Sequence, residues 1–324
     1  HRATGVDAMG ADNCLKLNLP YGIGDNYALP YAVCRGGVFS SIEYVGKASK
    51  LRPVYTKPTL IAQYGSVQVF QTAGEQLNQG AADVYAELIR LALEQPITAG
   101  QRIEVAINAD AFLKAIGRDR GVNNRIWLAD EIARLKRASF RYEIPGLKAW
   151  ETSFIADFTE DRSFREVKTS ASFVIELNAR MVQVYQKGWA LLNGPARRSL
   201  QVKKDHLAKA LYAFYATHKF PVDISAAELK KLVGRAEIRD GGGNVLRRAQ
   251  QNSKWIQDLD TSLANLKLAT GWAVCEYRRD TGKVRIVKEL PRATVNPSLA
   301  QAAVARAPKP IHTIPLSFGD EDLI

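Results

Sequence analysis

The fold is decided by one stretch in the second half of the chain, Asn252-Ser-Lys-Trp-Ile-Gln-Asp-Leu-Asp-Thr-Ser-Leu-Ala-Asn-Leu-Lys-Leu-Ala269. Leu259, Leu263 and Leu266 recur in it at the spacing of one helical face, which predicts a long amphipathic helix. Two strand-like segments follow, Trp272-Ala-Val-Cys-Glu-Tyr277 and Val284-Arg-Ile-Val287, and the Asp and Gly between them are typical of a hairpin turn. A long helix with a β-hairpin behind it is the second half of a winged helix-turn-helix.

Two further helical patterns precede this stretch and complete the motif. One runs from about Lys204 to His218, and the other begins at Ser225 and is stopped by Gly234. The first half of the chain repeats the plan. Its helical patterns cover Asp83 to Glu94, a short segment that Asn108 or Asp110 caps and Gly117 ends, and roughly Asn124 to Ala138, with alternating strands behind them.

Two pairs of equivalent residues give the sequence offset between the two copies. Leu113 and Leu229 lie 116 residues apart, whereas Trp127 and Trp255 lie 128 apart, so the second copy carries a 12-residue insertion. The loop Gly241-Gly-Gly-Asn244 is the expected place for it. A chance match is the alternative explanation for so loose a repeat.

These patterns predict an α+β protein with tandem winged-helix domains, each a helix-turn-helix plus a β-hairpin. We expect an irregular N-terminal arm over residues 1–35, winged-helix domain 1 over 36–177, winged-helix domain 2 over 178–290 and a disordered, Pro-rich tail over 291–324. The tail holds five of the 13 prolines and shows no long period.

Composition limits the class of protein. Of 324 residues, 46% are hydrophobic, which allows ordinary cores and excludes disordered, collagen-like and disulfide-built proteins. Lys and Arg exceed Asp and Glu by 12, and this excess predicts a polyanionic partner. Three distant cysteines, Cys14, Cys34 and Cys275, form no metal site and fit a reducing cytosol. No apolar run approaches the roughly 18 residues of a membrane span, so we expect a cytoplasmic protein without a membrane partner.

Candidates for enzyme chemistry are few. The four histidines form no His-hydrophobic-His pair of the kind that a nicking enzyme needs, and His206 and His218 lie too far apart on one predicted helix to share a metal. No Gly-Lys-Ser/Thr follows the glycine-rich loop, which excludes a P-loop. Asp258 and Asp260 face different sides of their helix. We therefore expect a protein that is not an enzyme and has no cofactor and no metal.

Basic residues concentrate in the second half of the chain. Between Asn193 and Leu290 there are 19 Lys and Arg against 10 Asp and Glu. The N-terminal residues of a recognition helix reach base edges in the major groove, where Arg pairs with guanine and Asn or Gln with adenine. The segment at the start of the long helix supplies these residue types, and the predicted DNA contacts there are Arg247, Arg248, Gln250, Gln251, Asn252 and Lys254.

Two more basic groups are candidates for DNA contact. The predicted wing offers Arg278, Arg279, Lys283 and Arg285, suited to phosphate or minor-groove contact. The first half has a weaker counterpart ahead of its own long helix, with Arg118, Arg120, Asn123, Asn124 and Arg125. A solvated basic surface is the alternative interpretation of both groups. Phosphate contacts would make affinity fall with salt, by a slope of about −0.9 per contact.

Segments spread over about residues 30 to 290 resemble the iteron-binding plasmid replication initiators, and among them the TrfA-like proteins. In the first half they are Leu29-Pro-Tyr-Ala-Val-Cys-Arg35 with Gly37-Val-Phe39, Gly74-Glu-Gln-Leu-Asn-Gln79 leading into Asp83-Val-Tyr-Ala-Glu-Leu88, Phe112-Leu-Lys-Ala-Ile-Gly117 and Leu135-Lys-Arg-Ala138. In the second half they are Leu192-Asn-Gly-Pro-Ala-Arg-Arg198, Tyr215-Ala-Thr-His-Lys-Phe-Pro221, Leu229-Lys-Lys-Leu-Val-Gly234 and Leu263 to Trp272. Each segment is weak alone, and their order and spacing carry the resemblance.

The resemblance implies a sequence-specific replication initiator, bacterial and plasmid-encoded, that binds direct repeats (iterons) in double-stranded origin DNA. The second domain would supply the main base readout, and the first would add DNA contacts and a dimer surface. Such proteins promote origin melting and recruit the host replicative helicase and initiator. Their monomers initiate replication, and their homodimers limit plasmid copy number.

One departure from the family concerns the sliding clamp. TrfA-like proteins carry a clamp-binding pentapeptide ahead of the winged helices, and none is found here. The tail segment Thr313-Ile-Pro-Leu-Ser-Phe318 is similar to the hexapeptide form of a clamp motif, with Leu316 and Phe318 as pocket anchors and Thr313 where Gln is usual. Short apolar anchors of this kind dock into grooves of partner proteins. Binding to the DNA polymerase sliding clamp is therefore a hypothesis, and an unremarkable tail is the alternative.

Two other functions compete with the initiator. A winged-helix transcriptional repressor, or an autorepressor without initiator activity, would have the same DNA-binding fold. A nicking or primase-like enzyme would need a metal-ligand cluster, which this sequence does not offer.

Overall fold

A computed structural model of the chain describes residues 22–44, 50–94, 97, 102–146, 149–159, 172–185, 188–202 and 204–289. The helices of these ranges are α1 (Tyr31–Arg35), α2 (Gln79–Ala92), α3 (Ala109–Ala115), α4 (Val122–Arg137), α5 (Ala179–Val184), α6 (Gly194–Val202), α7 (His206–Ala216), α8 (Ala226–Leu232) and α9 (Asn252–Thr270). The strands are β1 (Tyr27–Pro30), β2 (Phe39–Ser40), β3 (Val54–Tyr55), β4 (Thr59–Tyr64), β5 (Val67–Glu75), β6 (Leu77–Asn78), β7 (Ile103–Asn108), β8 (Ser139–Glu143), β9 (Trp150–Ser153), β10 (Ile155–Phe158), β11 (Ser172–Leu177), β12 (Trp189–Leu192), β13 (Ile224–Ser225), β14 (Ile238–Arg239), β15 (Val245–Arg247), β16 (Val274–Arg278) and β17 (Lys283–Val287). None of the helices in these ranges combines the length and the apolar character that a bilayer crossing requires.

Each half of the chain contains a winged helix, and the two have the same topology. Unit 1 consists of α2, β7, α3, α4, β10 and β11, and unit 2 of α7, β13, α8, α9, β16 and β17. In both units the first strand pairs antiparallel with the third, and the third pairs with the second. The sheets therefore have the orders β7-β11-β10 and β13-β17-β16. The predicted α+β fold with tandem winged helices is confirmed.

Local sequence explains where the short middle helices begin and end. The side chain of Asn108 accepts a hydrogen bond from the backbone N–H of Ala111, and Ser225 caps α8 in the same way. Gly117 and Gly234 follow these helices with φ of 76° and 69°, in the left-handed region that favours glycine. The caps and stops expected from the sequence are thus confirmed.

The insertion in unit 2 forms the β14–β15 hairpin between α8 and α9. The loop Gly241-Gly-Gly-Asn244 lies at its tip, as predicted. There the carboxylate of Asp240 accepts bonds from the backbone N–H groups of Gly242 and Asn244 and from the Asn244 amide, at 2.8–2.9 Å. The insertion is therefore an ordered hairpin in the turn of the helix-turn-helix.

A separate sheet of five strands, β3, β4, β5, β8 and β9, lies against α4 of unit 1. The first strand after α4, β8, belongs to this sheet and not to the wing of unit 1, because it pairs with β5 and β9. The wing of unit 1 is instead the β10–β11 hairpin, and its tip at residues 160–171 lies outside the described residues.

The irregular N-terminal arm predicted over residues 1–35 is wrong for residues 22–35. These contain β1 and α1, and β1 pairs antiparallel with β12, with Tyr27 opposite Leu192. A strand of four residues whose partner lies far along the chain leaves no periodic pattern of its own. The remaining arm residues, 1–21, and the tail 291–324 lie outside the described residues. The division into domains at residue 178 stays a prediction, and α5, β12 and α6 connect the two units.

The two units share one hydrophobic core. Val84 and Leu88 of α2, Leu211 of α7 and Leu263 of α9 belong to a single continuous cluster, and each is at most 1% exposed. Separating the units would return this apolar surface to water, at a cost of about 25 cal/mol per Å². The core therefore favours a single arrangement of unit 1 on unit 2.

Polar contacts at the end of α7 attach unit 2 to α1 and β4. The Arg35 guanidinium of α1 donates to the Thr217 hydroxyl at 2.8 Å. The Tyr64 hydroxyl of β4 lies 2.8 Å from Nε2 of His218, whose Nδ1 lies 3.1 Å from the Phe214 carbonyl oxygen. Because a carbonyl only accepts, Nδ1 carries the proton and Nε2 accepts from Tyr64. Burial lowers the pKa of His218 to about 4, which keeps the imidazole neutral at pH 7.

The predicted placement of two histidines on one helix needs correction. The helix ends at Ala216, so His218 lies beyond it, and His206 is the first residue of α7 with only 5% exposure. Burial also lowers the pKa of His206 to about 4.

A buried ion network lies where α2, α6 and α7 meet. Asp83 of α2 accepts from Arg197 Nε at 2.7 Å and from the ammonium of Lys209, which also donates to Gln201. Arg197 Nη2 donates to Gln79 at 3.1 Å. Burial alone would raise the pKa of Asp83, but the charges of Lys209 and Arg197 hold it below its ordinary value. Burial lowers the pKa of Lys209 to about 8, against the attraction of Asp83.

Replacing Lys209 with methionine tests this network. Lys209→Met leaves the buried Asp83 carboxylate with one cation fewer, and we expect the free energy of unfolding to fall by about 3–5 kcal/mol. Lys267→Met is the matched control, because Lys267 is exposed on α9 and surface changes usually stay within about 0.5 kcal/mol. Urea unfolding of the full chain measures both variants. Equal stability of Lys209→Met and wild type would show that the network does not hold the helices together.

Candidate nucleic-acid interface

Helix α9 occupies the recognition-helix position of unit 2. It buries one face, with Trp255, Leu259 and Leu263 at most 2% exposed, and the indole N–H of Trp255 donates to the Ala226 carbonyl of α8 at 3.1 Å. The opposite face is exposed and mostly polar or small, with Ser253, Lys254, Gln257, Thr261 and Ala264. Such a face fits the width of the major groove.

Arg247 is not at the start of this helix, contrary to the sequence prediction. It ends β15, while α9 begins at Asn252. Its guanidinium donates to Gln76 at 2.8 Å, to the Tyr44 hydroxyl at 3.3 Å and to the Ala236 carbonyl at 2.8 Å. Gln76 and Tyr44 precede α2, so Arg247 connects the hairpin of unit 2 to the segment that leads into unit 1. Both terminal nitrogens of Arg247 are engaged, whereas its buried Nε has no partner in the described part of the chain.

Three more of the predicted base contacts have protein partners. The Gln250 amide accepts from Arg235 at 2.9 Å and donates to Asp258 at 2.8 Å. Asn252 accepts from the Lys230 ammonium at 2.8 Å. Lys254 pairs with Asp258 at 2.8 Å, but its side chain is 58% exposed, and an exposed pair of this kind is weak. Lys254 can therefore exchange its carboxylate for a phosphate, whereas Gln250 is held in place.

Arg248 and Gln251 remain available at the helix start. Both are exposed, and neither side chain has a hydrogen-bond or ionic partner among the described residues. Gln257 and Thr261, one and two turns along the exposed face of α9, were missed by the sequence analysis. Their spacing from Lys254 predicts that they lie on the same face of the helix, since residues three or four apart share a face.

The predicted wing of unit 2 is present. The turn between β16 and β17 contains Gly282 with φ of 67°, and Lys283 and Arg285 are exposed on β17 without a partner in the described ranges. Arg278 pairs with Asp280 at 3.1 Å, and Arg279 with Asp260 of α9 at 2.8 Å. Since Arg279 is 76% exposed, this contact links wing and helix weakly. The wing thus presents four cations next to the recognition helix.

Unit 1 offers fewer free groups on α4. The Arg118 guanidinium stacks on Trp127 with 3.5 Å to the ring centroid, and burial lowers its pKa. It also lies 3.4 Å from the Asn124 side-chain oxygen, and the Asn124 amide donates to the Asp119 carbonyl at 2.8 Å. Arg125 makes a two-point pair with Asp110 at 2.8 Å.

Arg120 and Asn123 are the exposed members of the predicted set in unit 1. Their neighbours Val122 and Ile126 are 51% and 39% exposed, which makes this helix start less polar than that of α9. DNA contact by this set of residues stays a prediction.

Other predicted features lie elsewhere. Thr313, Leu316 and Phe318, proposed for the sliding clamp, lie outside the described residues. Across the part of the chain that is described, no three His, Cys, Asp or Glu side chains are grouped so that they could hold a metal ion.

The fold and its exposed basic elements define a tandem winged-helix protein. Comparison with known proteins finds no family model and no curated protein that matches it. Two crystal structures of RctB domains 2 and 3 are similar at 11% identity, with TM-scores of 0.46 and 0.44, over 73% of this chain and 85% or 83% of theirs. The crystal structure of the Pi initiator protein in complex with iteron DNA is similar at 13% identity and a TM-score of 0.47, over 70% of this chain and 99% of that one. The TrfA-like assignment stays a prediction.

Two neighbouring arginines give a stability test of the site. Arg247→Met removes the hydrogen bonds to Gln76, to the Tyr44 hydroxyl and to the Ala236 carbonyl, so we expect the free energy of unfolding to fall by about 1–3 kcal/mol. Arg248→Met, its neighbour in the chain, touches no partner and should leave stability within about 0.5 kcal/mol. Thermal or urea unfolding distinguishes the two. Equal stability of both variants would contradict the role of Arg247 in joining the units.

Proposed function

We propose that this chain binds double-stranded DNA in a sequence-specific manner and acts as an initiator of plasmid replication at direct repeats. Unit 2 supplies the main base readout through α9, and its wing contacts the backbone. Unit 1 adds contacts from the start of α4. The chain needs no cofactor and catalyses no reaction in this role.

One observation carries the proposal. The exposed cations and amides of unit 2 lie at the two places that a winged helix applies to DNA. Lys283 and Arg285 are on the wing, Lys254 is in the first turn of α9, and Arg248 and Gln251 are in the segment directly before that helix. Arg and Gln can each make two hydrogen bonds to a base edge, worth about 1–3 kcal/mol of discrimination. The wing cations supply sequence-independent attraction to phosphates.

The finer steps follow from the sequence resemblance. Binding and bending of origin DNA would lower the cost of opening an adjacent, easily melted segment. The exposed surfaces would then recruit the host helicase and initiator, and a monomer–homodimer equilibrium would set plasmid copy number. Clamp binding by the segment from Thr313 to Phe318 is a further proposed interaction in a bacterial cytoplasm.

A transcriptional repressor would use the same surfaces, so DNA binding alone does not separate the two functions. A plasmid that carries the bound repeats and lacks its own initiator gene separates them when the chain is supplied from a second plasmid. Replication of the reporter plasmid supports the initiator. Binding and promoter repression without replication would support the repressor instead.

Replacing Arg248 tests the site itself. We expect Arg248→Ala to weaken binding to the selected duplex by about 1–3 kcal/mol and to relax the preference at one base position, because a base pair loses its donor. Arg137→Ala is the control, since Arg137 is exposed at the far end of α4. Titrations on selected and random duplexes at several salt concentrations measure the effect. An equal loss on both duplexes, with a salt slope reduced by about one unit, would assign Arg248 to a phosphate.

A further inference from the structure

Arg235 lies between the two units at the point where α9 is positioned. It follows Gly234 in the turn after α8, and its side chain is 13% exposed. No contact with DNA can use a guanidinium that is so enclosed and so fully hydrogen-bonded. Its role is therefore to hold the groups to which it is hydrogen-bonded.

On one side Arg235 holds the start of α9. Its Nη1 donates to the Asp258 carboxylate at 2.8 Å and to the Gln250 side chain at 2.9 Å, and its carbonyl accepts from the backbone N–H of Gln250 at 3.1 Å. Asp258 also accepts from Gln250 and pairs with Lys254. Gln250 comes just before the exposed Gln251. The groups that Arg235 fixes therefore flank the side chains that face DNA.

On the other side Arg235 is held by Ser41, in the segment that precedes unit 1. Its Nε donates to the Ser41 hydroxyl at 2.8 Å, and its Nη2 lies 3.3 Å from the Ser41 carbonyl oxygen. Ser41 follows β2, which pairs in parallel with β6, the strand that leads directly into α2. The buried amide of Gln79, the first residue of α2, donates to the Phe39 carbonyl at 2.7 Å. Ser41 is thus fixed to the first helix of unit 1.

The backbone beside Arg235 is in equally close contact with this segment ahead of unit 1. The Ser41 N–H donates to the Val233 carbonyl at 3.0 Å, and the Ser40 hydroxyl donates to the Gly234 carbonyl at 3.2 Å. A Cβ on Gly234 would lie 3.1–3.2 Å from Ser40 atoms, at a φ that disfavours any side chain. Glycine at this position lets the two units approach closely enough for the bridge to form.

We infer that Arg235 is a positioning residue through which unit 1 sets the angle and register of α9 on DNA. This inference rests on the proposed function. Only arginine can serve here, because its planar fork reaches Ser41, Gln250 and Asp258 at the same time, whereas lysine offers a single point charge. Sequence readout by unit 2 therefore depends on unit 1, although Arg235 touches no base.

The test is selection of duplexes from a randomised library by the full chain, followed by affinity measurements on the selected and a random duplex. We expect Arg235→Met and Arg235→Lys to lose the base preferences read by α9 and to bind the selected duplex about tenfold or more weakly, as expected when at least one base contact is lost. Affinity for random DNA should stay within about twofold of the wild-type value. The slope of affinity against salt concentration should not change, since no phosphate contact is lost. Arg239→Met is the matched control, because Arg239 is exposed on the hairpin and pairs only with Glu237 and the Gly243 carbonyl in the described structure.

Ser41→Ala keeps the proposal testable if the Arg235 variants unfold. It removes the acceptor of the Arg235 Nε donor and leaves the contacts with Gln250 and Asp258, so a smaller loss of the same base preferences supports the inference. Unchanged preferences in folded Arg235→Lys, or in Ser41→Ala if the former does not fold, would overturn it. If the wild-type chain selects no sequence at all, the proposed function itself is wrong. That result differs from one in which wild type and the Arg235 variants select the same sequence, which would contradict only the role of Arg235.

Discussion

Burial of one carboxylate constrains the whole arrangement. Asp83 is only 6% exposed, and a carboxylate in such surroundings must be paired and hydrogen-bonded because isolated charge is very costly there. Its two cations come from different helices, Arg197 from α6 and Lys209 from α7. Sliding any of the three helices past the others would separate these charges in a poorly polarisable interior. The continuous apolar core around them stabilises the packing of the helices without fixing their relative positions. The ion network fixes those positions.

A fixed arrangement of two winged helices has a consequence for DNA recognition. Two DNA-binding units joined by a flexible linker could bind half-sites at many spacings. Two units held rigidly together bind half-sites at only one spacing and one rotation around the DNA axis. The contacts near α9 extend this constraint to the recognition helix itself, since Arg235 and Arg247 both join unit 2 to residues that precede α2. Specificity in this account belongs to the pair of units rather than to either alone.

The sequence predicts the helices of both units well because their signals are local. Apolar spacing defined α9, and Asn108 and Ser225 marked helix starts that the structure confirms. Pairing of β1 with β12 escaped prediction because its partners are distant in the chain. The site was only partly predictable for the same reason. Arg247 and Arg248 look alike in the sequence, yet Gln76 and Tyr44, far away in the chain, occupy the first and leave the second free.

The most direct test of a fixed pair of readers is a change in the spacing of their binding site. A duplex selected by the full chain should show two blocks of preferred bases about one helical turn apart. Inserting about 5 base pairs, half a turn, between the blocks rotates them to opposite faces of the duplex. We expect affinity then to fall to that of a duplex with one block, because only one of the two units can reach its bases. Unchanged affinity for the duplex with the insertion would show that the two units move independently and would contradict the account.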